Sequence, residues 1–196
     1  MEVKDAIAQR RAYRSLAPAD ITDDLVEDLA RHAQLAPSCN NNQPWRFVFV
    51  RDPASLAALH PALNSPGNDW AKAASMVVAV FSKKEDDCLI KDREYFLFDT
   101  GMAAAFLILR ATELGLVAHP VAGFSPKKTR EVLGIPEEYR VITLVNVGRK
   151  AAGISPVLNP KQVEQESTRP ARKPLGEFAF LDRYRETSRA SSTMAR

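Results

Sequence analysis

The sequence predicts an α+β domain, a sheet of a few strands with helices packed around it, and three observations carry that expectation. Short apolar runs at residues 45–51 (WRFVFVR), 76–81 (MVVAVF) and 141–147 (VITLVNV) are rich in β-branched and aromatic residues and read as strands. Stretches with helical spacing lie between and around them, at residues 22–36, 91–114 and 125–134. The 196 residues, 45% apolar and 26% charged, suffice for one domain with its own core, or for a subunit that completes its core by pairing.

The elements follow in order. A short helix precedes Arg10. Thr22 is placed to cap the next helix, and Asp23 and Asp24 suit its positive end. Leu25, Leu29, His32 and Ala33 or Ala36 then recur at helical spacing until Pro37 stops them. Pro53 starts a short helix to about residue 63, and residues 64–69 (NSPGND) are a loop by their turn chemistry. The run at 76–81 is apolar throughout, as in a strand buried on both faces. Residues 91–114 form the longest helical pattern; its middle, GMAAAFL at 101–107, is apolar nearly all round, which predicts a central helix. Gly115 suits its C-cap. Residues 116–121 read as a short strand. Ser125 and Pro126 open another helix as cap and first residue, and Gly134 closes it. Residues 151–174 carry Pro156, Pro160, Pro170 and Pro174 without a clear period and read as an extended arm. Residues 188–196 (SRASSTMAR) read as a frayed tail. The chain thus divides into a domain at 1–175, including the arm at about 151–175, and a C-terminal extension at 176–196.

Composition narrows the function. A net charge of +3, from 27 basic and 24 acidic residues, is too balanced to argue for a nucleic-acid or membrane partner. The most apolar stretch, residues 102–109, is too short to span a bilayer. The first residues lack the layout of a secretion signal. Cys39 and Cys88 stand in unrelated contexts outside any CxxC pair, which argues against a disulfide or a zinc site and for the reducing cytoplasm. No GxxxxGK[ST], GxGxxG or GxSxG motif is present. His32, His60 and His119 show no metal-ligand spacing and read as structural residues; no metal is expected.

Four segments carry chemistry. Arg10, Arg11 and Arg14 put three guanidinium groups in five residues, suited to a phosphate, although a solvated basic turn fits them too. Residues 36–45 (APSCNNNQPW) pack a hydroxyl, a thiol and four side-chain amides between a helix and a strand. Amides both donate and accept, matching the polar edge of a heterocycle; a turn rich in Asx hydrogen bonds is the alternative. In residues 119–124 (HPVAGF), Gly123 lets backbone approach a flat ligand, or simply ends a strand. Arg169, Arg172 and Lys173, stiffened by Pro170 and Pro174, are either a second contact to an anion or an exposed basic linker.

The order of these segments, a basic turn, PSxxNxQPW, a long apolar helix, PxxGF, a final strand and an RK-P arm, resembles the FMN-dependent nitroreductase family from about Ala6 to Leu175. That resemblance implies a central, mostly antiparallel sheet flanked by helices, in an intertwined homodimer with FMN at the subunit interface. NADH or NADPH is the implied co-substrate, and a nitroaromatic, quinone or similar electron-poor molecule the acceptor, in a ping-pong cycle. It further implies that Arg10, Arg11, Ala12 and Arg14 hold the phosphate and the pyrimidine side of the flavin, with Arg172 and Lys173 a second phosphate contact. Pro37, Ser38, Cys39 and Asn41 reach the flavin from the partner subunit, and Ala122 and Gly123 turn backbone amides toward flavin N5 and O4. Asn68 and Trp70 are further candidates. No catalytic side chain is implied, because the flavin carries the chemistry. Two positions depart from the pattern. Ala12 replaces a common serine, leaving one phosphate contact to backbone, and Ala122 replaces a common acidic residue, which alters the substrate cavity more than FMN binding. A reductive dehalogenase, or an enzyme that cuts flavin with oxygen, on the same fold is the runner-up, and a non-catalytic FMN-binding protein the third reading.

Overall fold

A computed structural model of the chain describes residues 1–64 and 66–186. The tail expected to fray, 188–196, lies outside them, as does Ser65 of the 64–69 loop. The elements are α1 (Val3–Gln9), β1 (Leu16–Ala17), α2 (Asp23–Gln34), β2 (Arg46–Val50), α3 (Pro53–Leu59), β3 (Met76–Ser82), β4 (Leu89–Ile90), β5 (Arg93–Glu94), α4 (Tyr95–Glu113), β6 (Val117–Val121), α5 (Pro126–Leu133), β7 (Arg140–Lys150) and α6 (Pro160–Ser167).

The main sheet is antiparallel at every pairing. β7 is its hub. It pairs with β3 from Met76↔Val147 to Ser82↔Arg140, with β6 from Val117↔Gly148 to Val121↔Leu144, and at its far end with β1 through Leu16↔Lys150. β2 pairs only with β3, so β2 and β6 lie on opposite edges.

β3 explains why its sequence is apolar without alternation. Side chains of a strand point alternately to opposite faces. Val77, Ala79 and Phe81 enter one core cluster, with Leu59, Trp70, Val121 and Leu144. Met76, Val78 and Val80 enter the other, with Leu29, Ala33, Leu107, Ala111, Val145 and Val147. Both faces are covered, and each fully buried Leu or Val contributes about 1.5–3 kcal/mol. The predicted caps form: Thr22 accepts from the Leu25 N–H, Ser125 from that of Lys128, and Gly134 takes the left-handed conformation at φ 64°.

Several expectations change. The 91–114 helix starts at Tyr95, because residues 89–94 turn back as the β4–β5 hairpin with Lys91 at φ 60°. Nor is α4 central: Ala103, Leu107 and Ala111 are buried, whereas Phe98 is 63% and Phe106 40% exposed. At 19 residues, α4 is long and apolar enough to cross a bilayer by length and composition, more than the 102–109 stretch alone indicates. Its buried face packs on α2, β3 and β6. The arm is not wholly extended, because α6 forms in it, opened by a capping box in which Asn159 and Gln162 exchange side-chain-to-backbone hydrogen bonds.

Cys39 and Cys88 are joined in a disulfide, contrary to expectation, across 49 residues with Cα atoms 6.0 Å apart. The sheet register is the reason. Arg46 at the start of β2 faces Phe81 near the end of β3, so the chain entering β2 and the chain leaving β3 emerge side by side. Cysteine spacing holds no trace of that pairing, and the inference from cysteine usage to a reducing compartment falls with it.

Candidate functional site

The two basic segments meet. Arg10, Arg11, Ala12 and Arg14, from the chain after α1, line a cleft of about 160 Å³ with Gln165, Arg169, Pro170 and Arg172 of the arm. Lys173 stays outside its lining. Glu166 makes the junction. Although 6% exposed, its carboxylate accepts from the Arg14 N–H at 3.1 and 2.9 Å and from the Ser15 N–H at 3.0 Å. A buried carboxylate needs such donors, and three charge-assisted bonds fix α6 against the turn. The Arg169 guanidinium donates to the carbonyls of Ala8 and Arg10 at 2.5 and 3.0 Å, holding the end of α1.

The arginines divide by what they already bind. Arg11 donates to the Gln165 and Glu166 carbonyls at 3.0 and 3.1 Å and lies over the Tyr13 ring at 4.6 Å. It therefore caps the last turn of α6 while lining the same cleft. Among the described residues, the side chains of Arg10, Arg14 and Arg172 make no hydrogen bond or ion pair. Burial, then the charges of Arg169 and Arg172, push the Arg10 guanidinium below its ordinary pKa. Cations crowded together without a counter-charge make a site that favours a multiply charged anion.

The turn that carries Arg10 and Arg14 meets β6 at His119. His119 is 7% exposed, with Nδ1 3.0 Å from the Tyr13 carbonyl and its ring stacked on Trp70 at 4.5 Å between centroids. Burial lowers its pKa to about 4, the Tyr13 carbonyl opposing and the Arg14 charge adding, so the ring is neutral near pH 7 and Nδ1 carries the donated proton. Past the end of β6, the Gly123 carbonyl accepts from the Asn68 side-chain amide at 2.7 Å and from the Asn64 N–H at 3.0 Å. A Cβ at Gly123 would lie 2.4 Å from Asn68 Nδ2, so a larger residue there would displace the Asn68 amide from the Gly123 carbonyl. Ala122 is exposed at the tip. Gln162 of α6 donates to the Gly67 carbonyl at 2.8 Å, tying the arm to the same loop. Trp70 is 2% exposed and so packs in the core beneath this surface.

Pro37, Ser38, Cys39 and Asn41 lie elsewhere, on the segment that enters β2. The Cys39 N–H donates to Asp99 Oδ2 at 2.6 Å, and the Gln43 N–H to Ser38 Oγ at 3.0 Å. Asn40, Asn41 and Gln43 hold φ of 50°, 58° and 49°, left-handed values that asparagine tolerates better than most residues. Three strand spacings of about 4.8 Å separate the β2 and β6 edges, roughly 14 Å, with both faces of the sheet between them covered by core. Within one chain the structure therefore joins Arg10, Ala12, Arg14 and Arg172 with the β6 edge that leads to Ala122 and Gly123, and leaves residues 37–41 on the far edge. Sequence reasoning missed Gln165 and Glu166 as site-building residues and offered Arg169 only as an anion contact or linker; the N-P-x-Q pattern at 159–162 is the signal that would have found α6.

The chain is thus an α+β protein whose antiparallel sheet has a cationic cleft beside one edge and an amide-rich turn at the other. The nitroreductase family model matches residues 7–68 and 63–149, and the chain belongs to that family. It is 27% identical over 182 residues to a protein of Thermus thermophilus named NADH dehydrogenase, covering 77% of this chain and 88% of that one. An iodotyrosine deiodinase of Haliscomenobacter hydrossis is 29% identical over 171 residues, covering 74% and 77%. A solved structure described as an oxidoreductase containing FMN superposes with a TM-score of 0.80 at 26% identity, over 95% of each chain.

Proposed function

We propose that the protein is an FMN-dependent NAD(P)H oxidoreductase that reduces nitroaromatic, quinone or similar electron-poor acceptors, acting as a homodimer with FMN at the subunit interface. One observation carries this reading: uncommitted Arg10, Arg14 and Arg172 line one cleft, and the turn that carries Arg10 and Arg14 meets β6, the strand leading to Gly123, where the Tyr13 carbonyl lies 3.0 Å from His119 Nδ1. A dianionic phosphate fits that donor set, and the glycine leaves room for a flat ring. When bound, FMN supplies the hydride chemistry between nicotinamide and acceptor. Arg10 and Arg172 hold the phosphate, Arg14 sets positive charge at the flavin's edge, and the Ala122–Gly123 backbone orients the ring.

The second subunit is argued from the far edge and from surface chemistry. Residues 37–41 reach no ligand held at their own chain's β6 edge without passing the sheet. Next to them, α1, α2 and α4 expose apolar residues: Val3 and Leu35, each 72% exposed, and Phe106 line a cavity of about 290 Å³, and Phe98 is exposed on α4. Pairing through these residues buries them and carries 37–41 to the partner's flavin.

The testing experiment is a visible absorption spectrum of the purified protein, followed by anaerobic NADH or NADPH. Flavin bands that bleach on either nicotinamide are expected, with parallel initial-rate lines when the acceptor is varied. Bound flavin that does not bleach would favour a non-catalytic FMN-binding protein, and a colourless protein that takes up no FMN would contradict the proposal. The deiodinase relative favours one competitor, a flavin-dependent dehalogenase. Reoxidation by a halotyrosine but not by a nitroaromatic would select it.

A further inference from the structure

A buried polar chain runs from β7 through β6 to the cationic turn. Asn146, fully buried in the otherwise apolar run of β7, donates its side-chain amide to the His119 carbonyl at 3.3 Å. His119 Nδ1 reaches the Tyr13 carbonyl, which can only accept, so Nδ1 is the donor. The stack on Trp70 sets the plane of the imidazole. Asn146 Oδ1 and Trp70 Nε1 are both buried with no hydrogen-bond partner among the described residues. Leu and Phe would fill the same space without that cost, so the core carries a penalty where it holds His119. Tyr13 is held from its other end too: the Arg11 guanidinium and the Lys150 ammonium each lie 4.6 Å from its ring centroid. Beyond Tyr13, Glu166 holds the N–H groups of Arg14 and Ser15, and the Ser15 carbonyl and hydroxyl accept from the Ala151 and Ser155 N–H groups at 2.9 and 3.0 Å. The backbone on both sides of Arg14 is thus fixed, while its guanidinium stays uncommitted.

We propose that His119 is a positioning residue: through the Tyr13 carbonyl it fixes the direction in which Arg14 leaves the backbone, and so sets how strongly the site favours reduced over oxidised flavin. This rests on the flavin reading given above. A cation at the flavin's pyrimidine edge stabilises the reduced form, which carries the extra negative charge, more than the oxidised form. That preference depends on distance and on exclusion of water, and a guanidinium on a loosened turn loses both. His119 acts on the flavin only through Arg14 and needs no contact of its own with a ligand.

The test sets His119→Leu, which fills the space without a donor, against His119→Asn, whose Nδ2 stands where the imidazole holds Nδ1. FMN-loaded full-length protein is titrated with dithionite against a reference dye. His119→Leu should lower the preference for reduced flavin about tenfold, a shift of about 30 mV for a two-electron couple. Oxidised FMN should still bind within about threefold of the parent, and His119→Asn should recover most of the shift. The same turn is read without flavin by calorimetry of inorganic pyrophosphate on the ligand-free chain: His119→Leu should bind it about fivefold more weakly, and His119→Asn should bind it as the parent does. Lys150→Met loosens the Tyr13 clamp from the exposed end of β7 without cutting the core; it carries the test if His119→Leu does not fold, with a loss of about threefold in the same direction. A folded His119→Leu with the parent's potential, or an Asn variant as defective as the Leu one, would overturn the proposal. A parent that takes up no FMN while pyrophosphate binding falls and recovers as stated would sink the proposed function and leave the positioning role standing. Unchanged pyrophosphate binding in that case would sink both.

Discussion

The two edges of the sheet hold their loops by opposite means. At the β6 edge the connections are ionic and reversible: Glu166 on the Arg14 and Ser15 amides, Arg169 on two carbonyls of α1, Arg11 on the end of α6. At the β2 edge a covalent bond, a buried carboxyl and three left-handed residues fix a segment with no cation in it. The difference follows charge. The β6 edge collects five arginines, and one buried carboxylate spent on backbone amides fixes the arm without neutralising the guanidinium groups that face the cleft. The segment 37–43 itself offers only amides, hydroxyl and sulfur, so a crosslink supplies rigidity that its own side-chain charges do not.

The largest expected effects test the ionic edge. Glu166→Ala leaves two backbone amides without their acceptor and lets α6 go, which should cost about 3 kcal/mol in denaturant unfolding and weaken FMN binding with it. An unfolding midpoint within error of the parent would mean that the arm is held by something else. His119 gives an effect of similar size through pH. Its folded pKa of about 4 lies below the unfolded value of 6.5, so the unfolded state binds its proton first as the solution is acidified. The stability it contributes is fully present above pH 6.5 and is lost as pH falls toward 4, about 3 kcal/mol in all. His119→Gln should flatten that part of the profile, and an unaltered slope would contradict the assignment.

Smaller effects sharpen which residues meet ligand. Arg172→Ala should weaken FMN about 10- to 100-fold, or about 1.5–3 kcal/mol for a lost charged contact, while riboflavin binding, measured by fluorescence quenching, should hardly move. Equal losses for both ligands would place Arg172 away from the phosphate. Gly123→Ala should cost about 1 kcal/mol of stability, because the added methyl pushes the Asn68 amide off the Gly123 carbonyl. Because the cost is spatial, pairing it with Asn68→Ala should recover much of it in a double-mutant cycle, and strict additivity would argue otherwise.

What was legible in the sequence was local. β3 announces itself because both its faces are buried, and Thr22, Ser125 and Gly134 mark helix ends by their own chemistry. The basic segments at 10–14 and 169–173 are visible in one dimension, and their meeting at one cleft is not. What was hidden depends on pairing. The cystine exists because β2 and β3 bring residues 49 apart together. β1 is two residues long and is defined only by the end of β7. Prolines at 156, 160, 170 and 174 hid α6, although Pro160 is its favourable first residue. Arg11 lines the same cleft, and its hold on the end of α6 is visible only in its distances.

The composite site is tested most directly by mixing two defective chains. One carries Arg10→Ala and Arg172→Ala, the other Pro37→Trp, and each alone should bind little FMN. A site built from the β6 edge of one subunit and residues 37–41 of the other leaves one intact site in every mixed dimer, so purified mixed dimers should hold about one FMN per two chains by absorbance. Mixed dimers that hold no more FMN than either parent would show that the site lies within a single chain.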